Sequence, residues 1–152
     1  MVNALTGRNV NLYKKLKQEM DNAQEIKIIV SFLRESGVKL IISDLKKQAL
    51  KGTDIKIITS KYLNITEPSA LYLLKKELGN LVNLRFYNKE DIAFHPKAYF
   101  IKKENNKILF IGSSNISASA LTSGIEWNYE LFDKNDQKAY QEFEGEFDRI
   151  YE

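Results

Sequence analysis

The single histidine of this 152-residue chain stands in Phe94-His95-Pro96-Lys97. Pro96 biases His95 toward extended backbone, and on an extended segment residues two apart share a face. His95 and Lys97 therefore present an imidazole beside an ammonium. The imidazole is a potential nucleophile and the ammonium neutralises anionic oxygens. A second group follows in Gly112-Ser113-Ser114-Asn115. Gly112 permits a close backbone approach, while Ser113, Ser114 and Asn115 offer hydroxyl and amide donors. Ser117 and Ser119 come next, where a starting turn of helix would aim free N–H groups at an anion. A third group is Glu126-Trp127-Asn128. A carboxylate here suits the orienting of an imidazole, the role of the third member of a catalytic relay. Each group also has an ordinary reading: a structural histidine, a polar turn, a surface acid.

Their order changes the weighing. Residues 97–102 (KAYFIK) and 107–112 (KILFIG) read as strands, with Lys103, Glu104, Asn105 and Asn106 as a hairpin turn between them. Antiparallel pairing lays the start of the first strand beside the end of the second. His95, Lys97, Ser113 and Asn115 should then converge. A cluster of His, Lys, Ser and Asn without evident metal ligands suits a tetrahedral phosphate.

The elements that must hold this hairpin are legible upstream. Residues 9–22 carry Val10, Tyr13, Leu16 and Met20 on a helical stripe, and residues 37–51 carry another that Gly52 can end. Residues 26–33 (IKIIVSFL), 54–59 (DIKIIT) and 82–87 (VNLRFY) read as strands. Thr66 as N-cap, with Pro68 in the first turn, opens a further helix through Leu71, Leu74 and Leu78. Helices of crossover length between strands favour parallel pairing. Residues 127–132 (WNYELF) are one more strand. Asn135 and Asp136 cap a last helix with Tyr140, Phe143, Phe147, Ile150 and Tyr151 on one side. The expected fold is α/β, a mixed, mostly parallel β-sheet flanked by helices, in one domain over residues 1–152. Strand order is not legible.

Composition narrows the chemistry. Apolar residues make up 43% and charged residues 28%, which suits a globular chain and excludes a largely disordered one. There are no cysteines and one histidine. Thiolate sites, disulfides and zinc sites built on several imidazoles are therefore excluded. No apolar run approaches the roughly 18 residues of a membrane span, and the first residues turn polar too early for a signal peptide. The expectation is a cytoplasmic protein with no membrane partner. Charge is uneven: residues 1–107 hold 20 Lys/Arg against 11 Asp/Glu, and residues 108–152 hold 3 against 9. A basic front half fits a polyanionic partner, and a solvated lysine-rich surface is the plain alternative. Lys14, Lys15, Lys17, Lys61, Lys102 and Lys103 are candidates for a nucleic-acid groove, with Tyr62, Tyr87 and Tyr99 as stacking candidates. Ser31, Phe32 and Ser60, just past strand ends, are candidates to line the site.

Taken together, His95-x-Lys97, Gly112-Ser113-x-Asn115 and Glu126 resemble the half-site of the phospholipase D superfamily. FHPKAYF, IGSSNIS and ALTSGIEWN are closest to its nuclease branch: small bacterial nucleases, metal-independent restriction endonucleases, and the phospholipase D-like domains at the front of helicase-like proteins. The likeness spans nearly the whole chain. The fuller motif has an aspartate five residues after the lysine, where this chain has Lys102; in the nuclease branch a later glutamate serves instead, which suits Glu126. The resemblance implies a phosphodiesterase without metal or other cofactor. His95 would form a covalent phosphohistidine, Lys97, Ser113, Ser114 and Asn115 would hold phosphate oxygens, and Glu126 would orient the imidazole. It also implies two histidines, hence a homodimer with a shared site. The expected partner is nucleic acid, DNA ahead of RNA, and one reading makes the chain a domain of a larger helicase or restriction protein. Alternatives are a nucleic-acid-binding module of the same fold that does not cut, and a phospholipase or phosphatidyl transferase.

Overall fold

Alternating helix and strand periods in the first 87 residues become parallel strands joined by crossover helices. The computed structural model describes residues 3–61, 65–89 and 91–152. The elements are β1 (Ala4–Leu5), α1 (Leu12–Met20), β2 (Glu25–Ile29), α2 (Glu35–Leu50), β3 (Asp54–Ser60), α3 (Pro68–Leu78), β4 (Val82–Tyr87), β5 (Ala98–Lys102), β6 (Lys107–Gly112), β7 (Asn128–Phe132) and α4 (Gln137–Tyr151). The strands form a seven-stranded sheet in the order β1-β7-β6-β5-β2-β3-β4.

The expectation of a mixed sheet flanked by helices holds, and that of a mostly parallel one holds only in part. Among the described residues, the strand pairs β2–β3 and β3–β4 are the parallel ones. The pairs β2–β5, β5–β6, β6–β7 and β1–β7 are antiparallel. After β4 the chain returns to the other side of β2, and β5, β6 and β7 follow as successive neighbours, each running against the one before. The two residues of β1 are too few to leave a periodicity. The strand expected over 26–33 ends at Ile29, because the N–H of Phe32 turns to the Asn115 side chain and that of Arg34 to Ile116 O. Thr66 does not cap α3: Glu67 holds that position, while Thr66 Oγ1 donates to Ser60 O and accepts from Leu33 N.

Strand alternation divides the core. Ile26, Ile28, Ile55, Ile57, Tyr99, Ile101, Ile108 and Phe110 pack under α1, α2 and α3. The alternate residues Ile29, Ile58, Ala98, Phe100, Leu109 and Leu131 pack against Tyr140 and Phe147 of α4. Lys27 lies on that second face, 5% exposed. Its ammonium meets Asp148 at 3.0 Å, Glu144 at 3.4 Å and Glu25 at 3.5 Å, and lies 5.7 Å from the Phe147 ring centroid. Burial pushes its pKa down, but the Asp148 hydrogen bond and the three carboxylates outweigh burial, and the net shift is upward. Among the described residues, no helix is long and apolar enough to cross a membrane.

Candidate active site

Reversal of the chain in the β5–β6 hairpin brings the chemical residues to one edge of the sheet. Register pairs Ala98 with both Ile29 and Ile111, and Gly112 with Asn128. The C-terminal ends of β2, β3, β4 and β6 thus share an edge with the starts of β5 and β7. Gly112 N donates to Lys97 O at 3.2 Å, so the His-x-Lys segment runs directly beside the Gly-Ser turn, as hairpin geometry requires. His95 lies just ahead of β5 in irregular backbone and is exposed; Lys97 is half-buried. Lys97 Nζ donates to His95 O at 2.7 Å, which draws the ammonium back along the histidine's own backbone.

Gly112 is required by space. A Cβ there would collide with the Trp127 carbonyl and with Asn128. This close approach lets Ser113 N donate to Trp127 O at 3.0 Å. Ser113 Oγ donates to Glu126 Oε1 at 2.9 Å and accepts from Trp127 N at 3.0 Å. Ser113 therefore fixes the Glu126 carboxylate.

Asn115 is buried, and its Oδ1 accepts from Phe32 N at 3.1 Å. Because the backbone group is a donor, the amide oxygen must face it, and the NH2 end is turned the other way. The following segment is clamped to the β2–α2 connection. Arg34 N donates to Ile116 O at 2.8 Å, and Ala118 N donates to Ser36 Oγ at 3.0 Å. Gly37 packs so closely on the Ile116–Ser117 backbone that no Cβ would fit. The turn of helix expected after Ser117 is a short π-helical turn over Ser119–Ser123.

Ser114 differs from the expectation of a phosphate donor. It is fully buried; its Oγ donates to Ala120 O at 3.0 Å and accepts from Asn128 Nδ2 at 2.9 Å. Its carbonyl accepts from Tyr99 O–H at 2.7 Å. Burial pushes the Tyr99 pKa up, and the nearby Glu126 charge adds to this. Tyr99 and Asn128 thus support the turn from behind. Sequence reasoning missed both in this role: Tyr99 is read there as a candidate for base stacking, and Asn128 stands out only by its adjacency to Trp127.

The other sequence candidates scatter. Ser31 and Ser60 are buried at the edge, Ser60 Oγ donating to Ser31 O at 2.8 Å, and Phe32 is half-buried. Lys61 follows β3 at the same edge. Lys102 and Lys103 stand at the opposite end, by the hairpin turn, because β5 runs away from His95. Lys14, Lys15 and Lys17 are on α1, where Lys15 meets Glu130 at 3.5 Å. Tyr99 is buried and unavailable for base stacking, whereas Tyr87 is half-buried and stacked on Phe94. Tyr62 lies outside the described residues.

Beside the hairpin ends is a cavity of about 260 Å³ lined by His95, Lys97, Gly112, Ile111, Phe143 and Glu146, among others. Apolar side chains are exposed around it. Ile125 and Trp127 are 89% and 70% exposed, and Tyr129 and Phe143 are exposed as well. Tyr129 neighbours Ile111 across the β6–β7 ladder, Trp127 immediately precedes β7, and Phe143 lines the cavity.

Comparison with known proteins places this geometry. No curated protein matches the sequence. Among solved structures, Nuc, a phospholipase D family member from Salmonella typhimurium, superposes with a TM-score of 0.75 at 18% identity, covering 99% of this chain and 93% of its own. NucT from Helicobacter pylori gives 0.70 at 17% identity, covering 97% and 92%. Phosphatidylserine synthase from Haemophilus influenzae gives 0.69 at 14% identity, covering 95% of this chain and 37% of its own. The yeast tyrosyl-DNA phosphodiesterase shares the fold more distantly, at 0.50 and 15% identity over 74% of this chain and 26% of its own. The family profile described as cardiolipin synthase, PLD-like domain, matches residues 16–151, and the chain belongs to this phospholipase D-like family.

Proposed function

We propose that the chain is a phosphodiesterase that cuts nucleic acid through a phosphohistidine at His95, in a site shared by two copies. The observation that carries this reading is the contact of the two motifs: the Lys97–Gly112 backbone bond sets His95 and Lys97 beside a turn whose Ser113 holds Glu126 and whose Asn115 is oriented by Phe32 N.

In the first step the His95 imidazole nitrogen attacks phosphorus. The P–N bond forms as the P–O bond to the leaving oxygen breaks, and that oxygen takes a proton from the imidazolium of a second copy. In the second step the now neutral imidazole of that copy takes a proton from water, whose oxygen attacks phosphorus. The P–N bond breaks, a phosphomonoester leaves, and both imidazoles return to their starting states. Lys97 and the Asn115 NH2 offset charge on the non-bridging oxygens, and Glu126 accepts from the imidazole N–H and fixes the tautomer. Lysine and amide donors supply the neutralisation that a metal ion supplies in other phosphodiesterases. Ser114, satisfied internally, supports the turn rather than the substrate.

The single histidine and the exposed Trp127, Tyr129 and Phe143 at the same end of the sheet support pairing with a second copy. The positive front half and the likeness to a tyrosyl-DNA phosphodiesterase favour a nucleic-acid diester. The likeness to a phosphatidylserine synthase supports a lipid diester as the second reading.

The test offers bis(4-nitrophenyl) phosphate, an oligonucleotide and phosphatidylglycerol vesicles in EDTA, to the wild type and to His95→Ala. We expect hydrolysis of the first two, an acid-labile phosphate on His95 after quenching, and no turnover by His95→Ala. Full turnover by that variant removes His95 from the mechanism, and turnover of lipid alone selects the second reading.

A further inference from the structure

On the second face of the sheet α4 covers the central strands, and β3 and the edge strand β4 extend beyond it. Register places Lys56 beside Asn83, Ile58 beside Arg85, and Ser60 beside Tyr87, all on that face. Tyr151, on the last turn of α4, lies under two cations. The Arg85 guanidinium carbon is 4.6 Å from its ring centroid and Lys56 Nζ is 5.2 Å from it. Tyr87 stacks on Phe94 at 4.7 Å between centroids with the planes 22° apart, and Phe94 is the residue before His95. Cations and rings thus follow one another along about 13 Å of β4, at ~3.3 Å per residue, toward the edge that carries His95.

The bonding of these groups favours an anionic, ring-bearing ligand. Arg85 is exposed, and one of its nitrogens donates to Leu84 O at 3.3 Å, which leaves guanidinium donors directed outward from a ring that fixes its pose. Lys56 has an acidic neighbour in Asp54 at 3.7 Å, so Arg85 is the stronger contact. Phosphates meet the cations, and unstacked bases meet the rings of Tyr151 and Tyr87. A duplex keeps its bases stacked and would use the cations alone.

We propose that Lys56, Arg85, Tyr151 and Tyr87 form a track for single-stranded nucleic acid that leads the strand to His95. This deepens the nucleic-acid reading of the site and rests on it for the direction of the strand. None of the four residues takes part in the chemistry.

The experiment compares Lys56→Ala/Arg85→Ala with a control that removes two cations from the other face, Lys39→Ala/Lys46→Ala. Binding of a fluorescent single-stranded 20-mer is followed across a salt series with His95→Ala added to each protein to prevent cutting, and hydrolysis of bis(4-nitrophenyl) phosphate is followed with His95 intact. We expect the track variant to bind about tenfold or more weakly at low salt. The slope of log K against log salt should fall in magnitude by about 1.4, or ~0.7 for each lost phosphate contact on a single strand. The control should keep the parent slope, and all three proteins should hydrolyse the small diester equally. Tyr151→Ala should weaken the single strand by more than it weakens a duplex of the same sequence, since the duplex loses only the ring's hold on the cations.

An unchanged affinity and slope in the track variant overturns the track, as does an equal loss in the control or a parent that binds no single strand. Loss of small-diester hydrolysis in the parent, with track-dependent binding retained, would instead remove the catalytic reading and leave the track.

Discussion

An amide side chain has an acceptor end and a donor end, and at Asn115 the backbone N–H of Phe32 takes the acceptor. This makes Asn115→Asp an informative substitution. The carboxylate keeps the bond to Phe32 N and the side-chain shape, but presents an anionic oxygen where the NH2 stood. We expect kcat/KM for a phosphodiester to fall by at least about 10²–10³-fold, the usual effect of losing one donor to a developing charge, with the unfolding temperature nearly unchanged. An Asp variant with full activity would show that the amide gives nothing to the substrate. Ser113 acts one step back, through Glu126. Ser113→Ala removes the bonds to Glu126 and to Trp127 N; losing the one to Glu126, worth about 1 kcal/mol, is expected to cost roughly fivefold in rate, together with a changed pH profile as the imidazole is less firmly held. Ser113→Thr, which keeps the hydroxyl, should restore the profile.

At the scale of elements, the β5–β6 hairpin was legible because two alternating apolar runs flanked a polar four-residue gap, and its register follows from chain reversal alone. Convergence of His95 and Lys97 with the Gly-Ser turn was legible for the same reason. The site's backing was not: Asn128 looks like an ordinary strand residue, and Tyr99 and Ser114 read as substrate-facing candidates until the turn folds over them. The mix of parallel and antiparallel pairs was equally hidden, since no local period says on which side of β2 the hairpin inserts. Lys27 was hidden inside an apolar run, where its partners lie more than a hundred residues away on α4.

That ion cluster ties α4 to the sheet, and its pH dependence has a definite sign. A lysine whose pKa is raised by folding contributes stability that is complete below the ordinary lysine value of 10.5 and fades as pH rises through the folded value. Buried Tyr99 and Tyr140, whose pKa values are also raised, destabilise the fold in the same alkaline range. The difference between wild type and Lys27→Met isolates the lysine. We expect the wild type to be the more stable in denaturant melts at neutral pH, and the gap to shrink above about pH 10.5. A gap that stays constant to pH 12 would show that the lysine's charge contributes nothing.

For the whole molecule, one edge of the sheet gathers His95, Lys97, Ser113, Asn115 and Glu126, yet a chain with one histidine supplies one imidazole where the proposed two-step reaction uses two. In the proposed reaction a second copy supplies the other, and the exposed Trp127, Tyr129 and Phe143 are the apolar rim proposed to receive it. Charge reversal at the rim should separate the copies: Trp127→Glu is expected to shift sedimentation toward the monomer and to lower activity in proportion to the loss of dimer. Retained activity in a strictly monomeric variant would break the link between pairing and catalysis.

Subunit mixing tests that link most directly. Wild type and His95→Ala are unfolded together in equal amounts, refolded to exchange subunits, and assayed on bis(4-nitrophenyl) phosphate at fixed total protein. If each site needs both imidazoles, only wild-type pairs work, and activity should be about one quarter of the all-wild-type value under random pairing. Activity of about one half would mean that each chain works alone, and would contradict the shared site.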